Sequence, residues 1–291
     1  MHVLEKYYPL IFLLMWSSGA IFVNLGLEYA SVSVFLAIRA VGSAVVLLMV
    51  CSLMTRHVSI GQCLRLERAL LCRVLLTGVM LQVIYQSAYF LALSCQLTPG
   101  VLAILLGMQP IITALIGREK VSVRQYGCLA LGFSGLIVAI AGARELGHIT
   151  LPGLLFGIVS VLAISAGSVM QKKTRVDHVV SAFYQSLIAS VIFILILPFT
   201  AIHLEVTPIF VFSAGWMIVV VSVLSVVILF RLLENNSATQ VSTLFYLVPL
   251  LTVLLDYLVF GHTVSWLTAA GGLLIIIAVK GFSYRKQASH S

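Results

Sequence analysis

Charge is what this chain of 291 residues has least of: Asp, Glu, Lys and Arg together make up 9% of it, against about 25% in soluble globular domains. That scarcity excludes a water-soluble core of this size. The five cysteines, Cys51, Cys63, Cys72, Cys95 and Cys128, are odd in number and include no close pair, which excludes a disulfide framework or a thiolate metal site and predicts unpaired thiols. His57, His148, His178, His203 and His262 are scattered over connecting segments, so no cluster of the kind a metal or an acid–base centre needs is expected. No P-loop, zinc-ligand spacing, nucleophile elbow or dinucleotide fingerprint occurs. No cofactor, no metal and no catalytic residues are expected.

What the chain has is apolar length. Hydrophobic residues make up 61%. They fall into ten segments, near 8–26, 32–54, 69–93, 98–116, 123–141, 152–171, 180–201, 209–231, 237–260 and 264–281. Each approaches the ~20 residues that a helix needs to cross a hydrocarbon core. Only helices and closed barrels satisfy the backbone in lipid. Runs such as Leu187 to Phe199 and Val219 to Phe230 lack the alternation of a barrel strand, so helices are expected. Lys6 followed by an apolar run resembles the start of a signal peptide, but the run is too long and has no small-residue cleavage site. It should remain as the first helix. The short connections leave no room for a soluble domain, and any chemistry must sit among the helices.

The net charge of +8 reflects topology rather than nucleic-acid binding. With the amino terminus inside and the segments alternating, every Lys and Arg except Arg39 and Arg144 falls at an interior end, as the positive-inside rule requires. Both termini are therefore expected in the cytoplasm, and the protein in the plasma membrane, in a bacterium the inner membrane.

Aligning Pro110 with Pro249 brings LTPGVLAILLGMQPIITALI, from Leu97, onto NSATQVSTLFYLVPLLTVLL, from Asn236. Past a four-residue insertion, Glu119 meets His262, Gly127 meets Ala270, Leu131 meets Leu274 and Gly135 meets Ala278. Two five-helix units, residues 1–146 and 147–291, follow from this. Because five is odd, the second enters the membrane inverted. The expected fold class is an all-α integral membrane protein of ten transmembrane helices in two inverted five-helix repeats, an arrangement that serves alternating access about a central site.

With WSSGAIFVNLGL from Trp16, Arg39 in FLAIRAVGSAVVLL, YFLAL from Tyr89, and QPIITALIGREKVSVRQYGCLALGFSGLIV from Gln109, the chain resembles the drug/metabolite transporter superfamily, in particular its ten-helix EamA-type members. The resemblance implies a multi-pass carrier of small molecules, and export is implied by it alone. One departure is that the family's Glu at the end of the fourth helix is present as Glu119, whereas the second repeat has His262. If Glu119 holds its loop to neighbouring basic groups, the outer counterpart is held differently. Small multidrug transporters, distant relatives, carry a glutamate in their first helix. This chain has none there.

Polar residues within spanning helices usually face the bundle interior. Gln82, Tyr85, Gln86 and Tyr89 fall at i, i+3, i+4 and i+7 on the third segment, and so share one face, either a cavity wall or a ladder of interhelical hydrogen bonds. Gln109 precedes Pro110, which frees the carbonyl of Leu106, and Pro249 with Tyr246 makes a similar notch. Trp16 lies near mid-segment, away from the interfacial belts. Arg39 either snorkels to the headgroups or pairs with Asp256 or Glu28 as a gate or an anion attractor. Asp256 is the one carboxylate clearly inside a segment, which makes it the candidate for proton coupling. Stripes of small residues, Gly132, Gly135, Ala139 and Gly142, then Gly153, Gly157, Ser160 and Gly167, read as packing surfaces.

The expected function is therefore carriage of small polar or amphipathic metabolites, most simply export of amino acids, by a unit that can act as a monomer. Trp16, Gln82, Tyr85, Gln86, Tyr89, Gln109 and Tyr246 are the expected substrate contacts. Arg39, Asp256, Pro110 and Pro249 are expected to gate or couple. A lipid or sugar-lipid flippase shares this logic, whereas a membrane enzyme or a channel lacks the needed clusters and rings.

Overall fold

The computed structural model describes residues 7–54, 65–97, 99–142, 149–260 and 265–283. They form helices α1 (Tyr8–Leu27), α2 (Val32–Met54), α3 (Arg68–Ser94), α4 (Pro99–Leu106), α5 (Gln109–Gly117), α6 (Val123–Gly142), α7 (Leu151–Lys173), α8 (His178–Ile196), α9 (Pro208–Asn235), α10 (Ala238–Thr243), α11 (Leu247–Phe260) and α12 (Trp266–Ser283). Seven of these, α1, α2, α3, α6, α7, α8 and α9, are long and apolar enough to cross a membrane, while the α4–α5 and α10–α11 stretches and α12 are shorter apolar helices.

Local chemistry sets several starts. The side chains of Thr150, Asp177, Thr207 and Ser237 accept hydrogen bonds from backbone amides one turn ahead, satisfying donors that a helix leaves unpaired at its first turn. Interruptions follow proline. The chain breaks at Gly107 and Met108, so that Pro110 enters the first turn of α5, where its missing N–H costs nothing. Before Pro249 the helix tightens to a 3₁₀ turn over Leu244–Tyr246. Two other irregularities had no signal in the apolar pattern: α3 widens to π-helix over Val79–Ile84, and α9 over Met217–Ser225.

Helix α2 packs on α8, α6 on α12, and α5 on α10, while α7 lies against α3 and α1 against α9. The α6–α12 seam is the closest approach. A Cβ on Gly271 would lie 2.4 Å from the amide nitrogen of Ala139 and 2.5 Å from the carbonyl of Gly135, and Thr268 Oγ1 donates to the Ala139 carbonyl at 3.0 Å. The stripe on α6 is thus a backbone-to-backbone contact, as small residues permit. The stripe on α7 meets α3 and α4: added Cβ atoms at Gly157 and Gly167 would lie 2.5 Å from Leu105 and Leu81. Large apolar side chains face outward, among them Leu115, Leu195, Phe199 and Phe212, an exterior that only an apolar surrounding suits. Where α1 turns into α2, the backbone pairs with the α8–α9 connection. The amide of Ser31 donates to the His203 carbonyl at 2.9 Å, and that of Glu205 donates to the Tyr29 carbonyl at 2.7 Å.

Candidate functional site

Four helices bring polar groups to one small cavity. Arg39, Ala40 and Ser43 from α2, Gln82 and Gln86 from α3, Ser186, Ala189 and Phe193 from α8, and Ser222 from α9 line it. It has room for about one water molecule. Gln86 donates to Gln82 at 2.6 Å, which ties one turn of α3 to the next. Ser43 donates to the Arg39 carbonyl at 2.6 Å, and the Tyr85 hydroxyl lies within electrostatic reach of the guanidinium. No acidic side chain lines the cavity. Ser222 is buried, and its hydroxyl has no partner among the described residues. Arg39 therefore turns into the bundle rather than up to the headgroups. It pairs with neither Glu28 nor any other carboxylate among the described residues.

The face expected on α3 divides in two. Gln82 and Gln86 reach the cavity, while the Tyr85 and Tyr89 rings pack beside each other with centroids 6.2 Å apart against neighbouring apolar clusters. Trp16 does not line the cavity. It packs edge-on to Phe245 at 5.6 Å and beside Phe12 at 5.4 Å, joining α1 to the 3₁₀ turn before α11.

Gln109 and Tyr246 lie elsewhere, at the crossing of α5 and α10. Both are fully buried. Gln109 Nε2 donates to Ser242 Oγ at 3.4 Å, and Ser242 Oγ lies 3.2 Å from Thr113 Oγ1. Tyr246 donates to the Leu129 carbonyl at 3.3 Å, its ring so close to α6 that a Cβ on Gly132 would come within 2.9 Å of it. The Gln109 Oε1 atom is left unpartnered. Pro110 is buried at the same crossing.

Just past α5, Arg118 adopts left-handed φ of 50°, a conformation that costs a non-glycine residue about 1 kcal/mol or more. The turn aims Glu119 across the molecule. Its carboxylate accepts from the amides of Ala238 at 2.7 Å and Thr239 at 3.0 Å, so it caps α10 from the other half of the chain. The expectation that Glu119 holds basic groups is corrected: it holds a helix N-terminus, where a negative charge is favoured. Lys172 donates to the neighbouring Asn236 carbonyl.

The side chain of Asp256, and His262, lie outside the described residues. Pro249 sits in the first turn of α11. The residues that sequence reasoning missed are Ser43, Ser186 and Ser222. A signal existed in Arg39 and Ser43, Gln82 and Gln86, and Ser186 and Ser190, each pair four apart on its helix, but their meeting depends on how four helices are placed.

Comparison with known proteins bears on this arrangement. The model of the EamA-like transporter family matches residues 151–284. The second half of the chain is thus similar to that family. The chain is also 30% identical over 190 residues to the uncharacterized transporter YvbV of Bacillus subtilis (strain 168), in a match that takes in 62% of this chain and 61% of that relative. A crystal structure of a protein 17% identical superimposes with a TM-score of 0.78 over 96% of each chain, which shows a shared fold. The matched segment takes in α7 to α12, including Ser186 and Ser222 of the cavity, while Arg39, Gln82 and Gln86 come from the half that precedes it.

Proposed function

We propose that the protein is a transporter of small polar or amphipathic metabolites in the cytoplasmic membrane, exporting amino acids or related compounds by alternating access as a monomer. The observation that carries this reading is the polar cavity around Arg39, set between four helices of an apolar-faced bundle. Polar and charged groups in such a place mark a path for solute rather than a support for the fold. In this reading Gln82 and Gln86 contact substrate directly, Tyr85, Tyr89 and Trp16 supply aromatic surface when the helices part, and Gln109 and Tyr246 sit at the crossing that opens. Pro110, Pro249 and Asp256 serve the movement or its coupling.

Ten spans in two inverted repeats, with both termini in the cytoplasm, complete the proposal. Three regularities support it. The break before Pro110 recurs before Pro249. The π-helical segment of α3 recurs in α9 at nearly the offset that brings the two prolines together. The contacts also pair like with like: α3 on α7 matches α9 on α1, α2 on α8 and α6 on α12 each join equivalent elements, and α5 on α10 joins the two proline-interrupted segments. Such repeats exchange conformations about a site between them.

The test is a time course of amino acids released from loaded cells producing the protein, against cells producing Gln109→Ala with Tyr85→Ala at equal membrane abundance. Selective release by the wild type is expected. Equal release from both, across a panel of amino acids, would overturn the export reading.

A further inference from the structure

We propose that Arg39 is the anion-binding residue of the transport site and that the transported molecule carries a single carboxylate, an inference that rests on the transport reading above. Three observations on the cavity combine. Its one cationic group, Arg39, has no acidic side chain facing it from any of the four helices that line it. A lone cation inside a membrane protein is costly and is retained where something compensates it. Ser222, 5% exposed, presents a hydroxyl with no partner to the same space. The remaining polar groups are the neutral amides of Gln82 and Gln86 and the hydroxyls of Ser43 and Ser186.

This set fits an anion with two equivalent oxygens. The guanidinium offers parallel N–H donors matched to such a group, and the Ser222 hydroxyl supplies a further donor. Charge balance narrows the choice: with no second Lys or Arg in the lining, one positive charge answers one negative charge, which disfavours a phosphate monoester dianion. A carboxylate and a phosphodiester share this chemistry. The enclosed position between four helices, with Phe193 in the wall, favours the carboxylate of a small molecule with an apolar body. An ammonium on the same molecule would be met by amide and hydroxyl oxygens, which also admits amino acids.

The cavity holds about one water as it stands, so a carboxylate enters only when helices part. Gln82 and Ser222 both ride on π-helical segments, the wide turns that recur at functional sites. These are the places where α3 and α9 can re-aim a side chain without unwinding.

The experiment measures thermal stabilisation of the purified full chain in detergent, at constant ionic strength, by L-phenylalanine, 3-phenylpropionate, L-phenylalaninamide, phenethylamine and dihexanoyl phosphatidylglycerol. The proteins are the wild type, Arg39→Gln, Arg39→Lys and, as a charge control on an exposed connection, Arg175→Gln. The expected result is stabilisation by 3-phenylpropionate and phenylalanine and not by the amide or amine. Affinity should fall about tenfold or more in Arg39→Gln, less in Arg39→Lys, which keeps the charge and loses the fork, and not at all in Arg175→Gln. Stabilisation by 3-phenylpropionate without phenylalanine would uphold the carboxylate site and remove amino acids as the cargo. Four outcomes overturn the inference: equal stabilisation by the amide, undiminished binding in both Arg39 variants, stabilisation by the phosphodiester alone, or none by any carboxylate. Should Arg39→Gln fail to fold, the Arg39→Lys affinity decides.

Discussion

At the α5–α10 crossing, polar groups bond across the two halves, with Gln109 Oε1 and Thr239 Oγ1 left without a partner among the described residues. Gln109 reaches Ser242, Ser242 reaches Thr113, Tyr246 reaches the Leu129 carbonyl, and the Glu119 carboxylate closes the open amides of α10. Around Arg39 the bonds stay within single helices, Gln86 to Gln82 on α3 and Ser43 to the Arg39 carbonyl on α2. A cation faces amides and hydroxyls with no carboxylate among them, and Ser222 has nothing to donate to. Both regions are polar interiors of an apolar-faced bundle, and the difference is whether the bonds cross between the halves. Those at the crossing do, and hold α5 to α10, whereas those in the cavity lining do not. Polarity inside a membrane protein is thus a poor guide to function until its partners are counted.

Substitutions can break or sharpen that contrast. Arg39→Gln should cost transport about tenfold or more while leaving the unfolding temperature in detergent unchanged or higher, because it removes a charge that no carboxylate among the described residues answers. A parallel loss of stability would place Arg39 with the structural groups. Gly271→Ala should do the opposite. Its methyl group would enter the α6–α12 seam 2.4 Å from a backbone nitrogen, an overpacking that costs about 1–3 kcal/mol, visible as a lower unfolding temperature. Glu119→Gln keeps the length of the α10 cap but removes its charge and one of its two acceptors, leaving one amide facing an NH2 group, and should lower stability by about 1–2 kcal/mol. An unchanged melt would show that the cap is dispensable in this state. Tyr246→Phe loses one long hydrogen bond, about 0.5–1 kcal/mol. Ser222→Ala is the smallest for stability, neutral or stabilising by up to about 1 kcal/mol, since no bond is lost, yet it should weaken carboxylate binding several-fold in the same stabilisation assay.

The helices were legible because each apolar run carries its own length. The first segment, expected near 8–26, is Tyr8–Leu27, and the fifth, expected near 123–141, is Val123–Gly142. The breaks at Pro110 and Pro249 were legible too, since proline forces them locally. The π-helical turns were not, because a change from four to five residues per hydrogen bond leaves no mark on an all-apolar stretch such as Met217–Val221. In the site, Arg39, Gln82 and Gln86 stood out as costly residues in lipid. Their convergence with Ser186 and Ser222 depends on packing between distant helices, and serines are too common in such helices to stand out. Gln109 and Tyr246, whose residue types suggested substrate contact, are fully buried at the α5–α10 crossing, a placement that depends on how the two halves pack.

The pairing of the α1–α2 turn with the α8–α9 connection is made by main-chain groups, Ser31 to His203 and Glu205 to Tyr29. Side chains add to it, the Thr200 hydroxyl donating to Ser33 Oγ at 2.9 Å and the His203 amide to Ser31 Oγ at 3.4 Å, so only the main-chain part of its grip is independent of residue identity. The two main-chain bonds are worth about 1–3 kcal/mol together. That share of the pairing between the two connections is a property of the backbone and survives most changes of sequence.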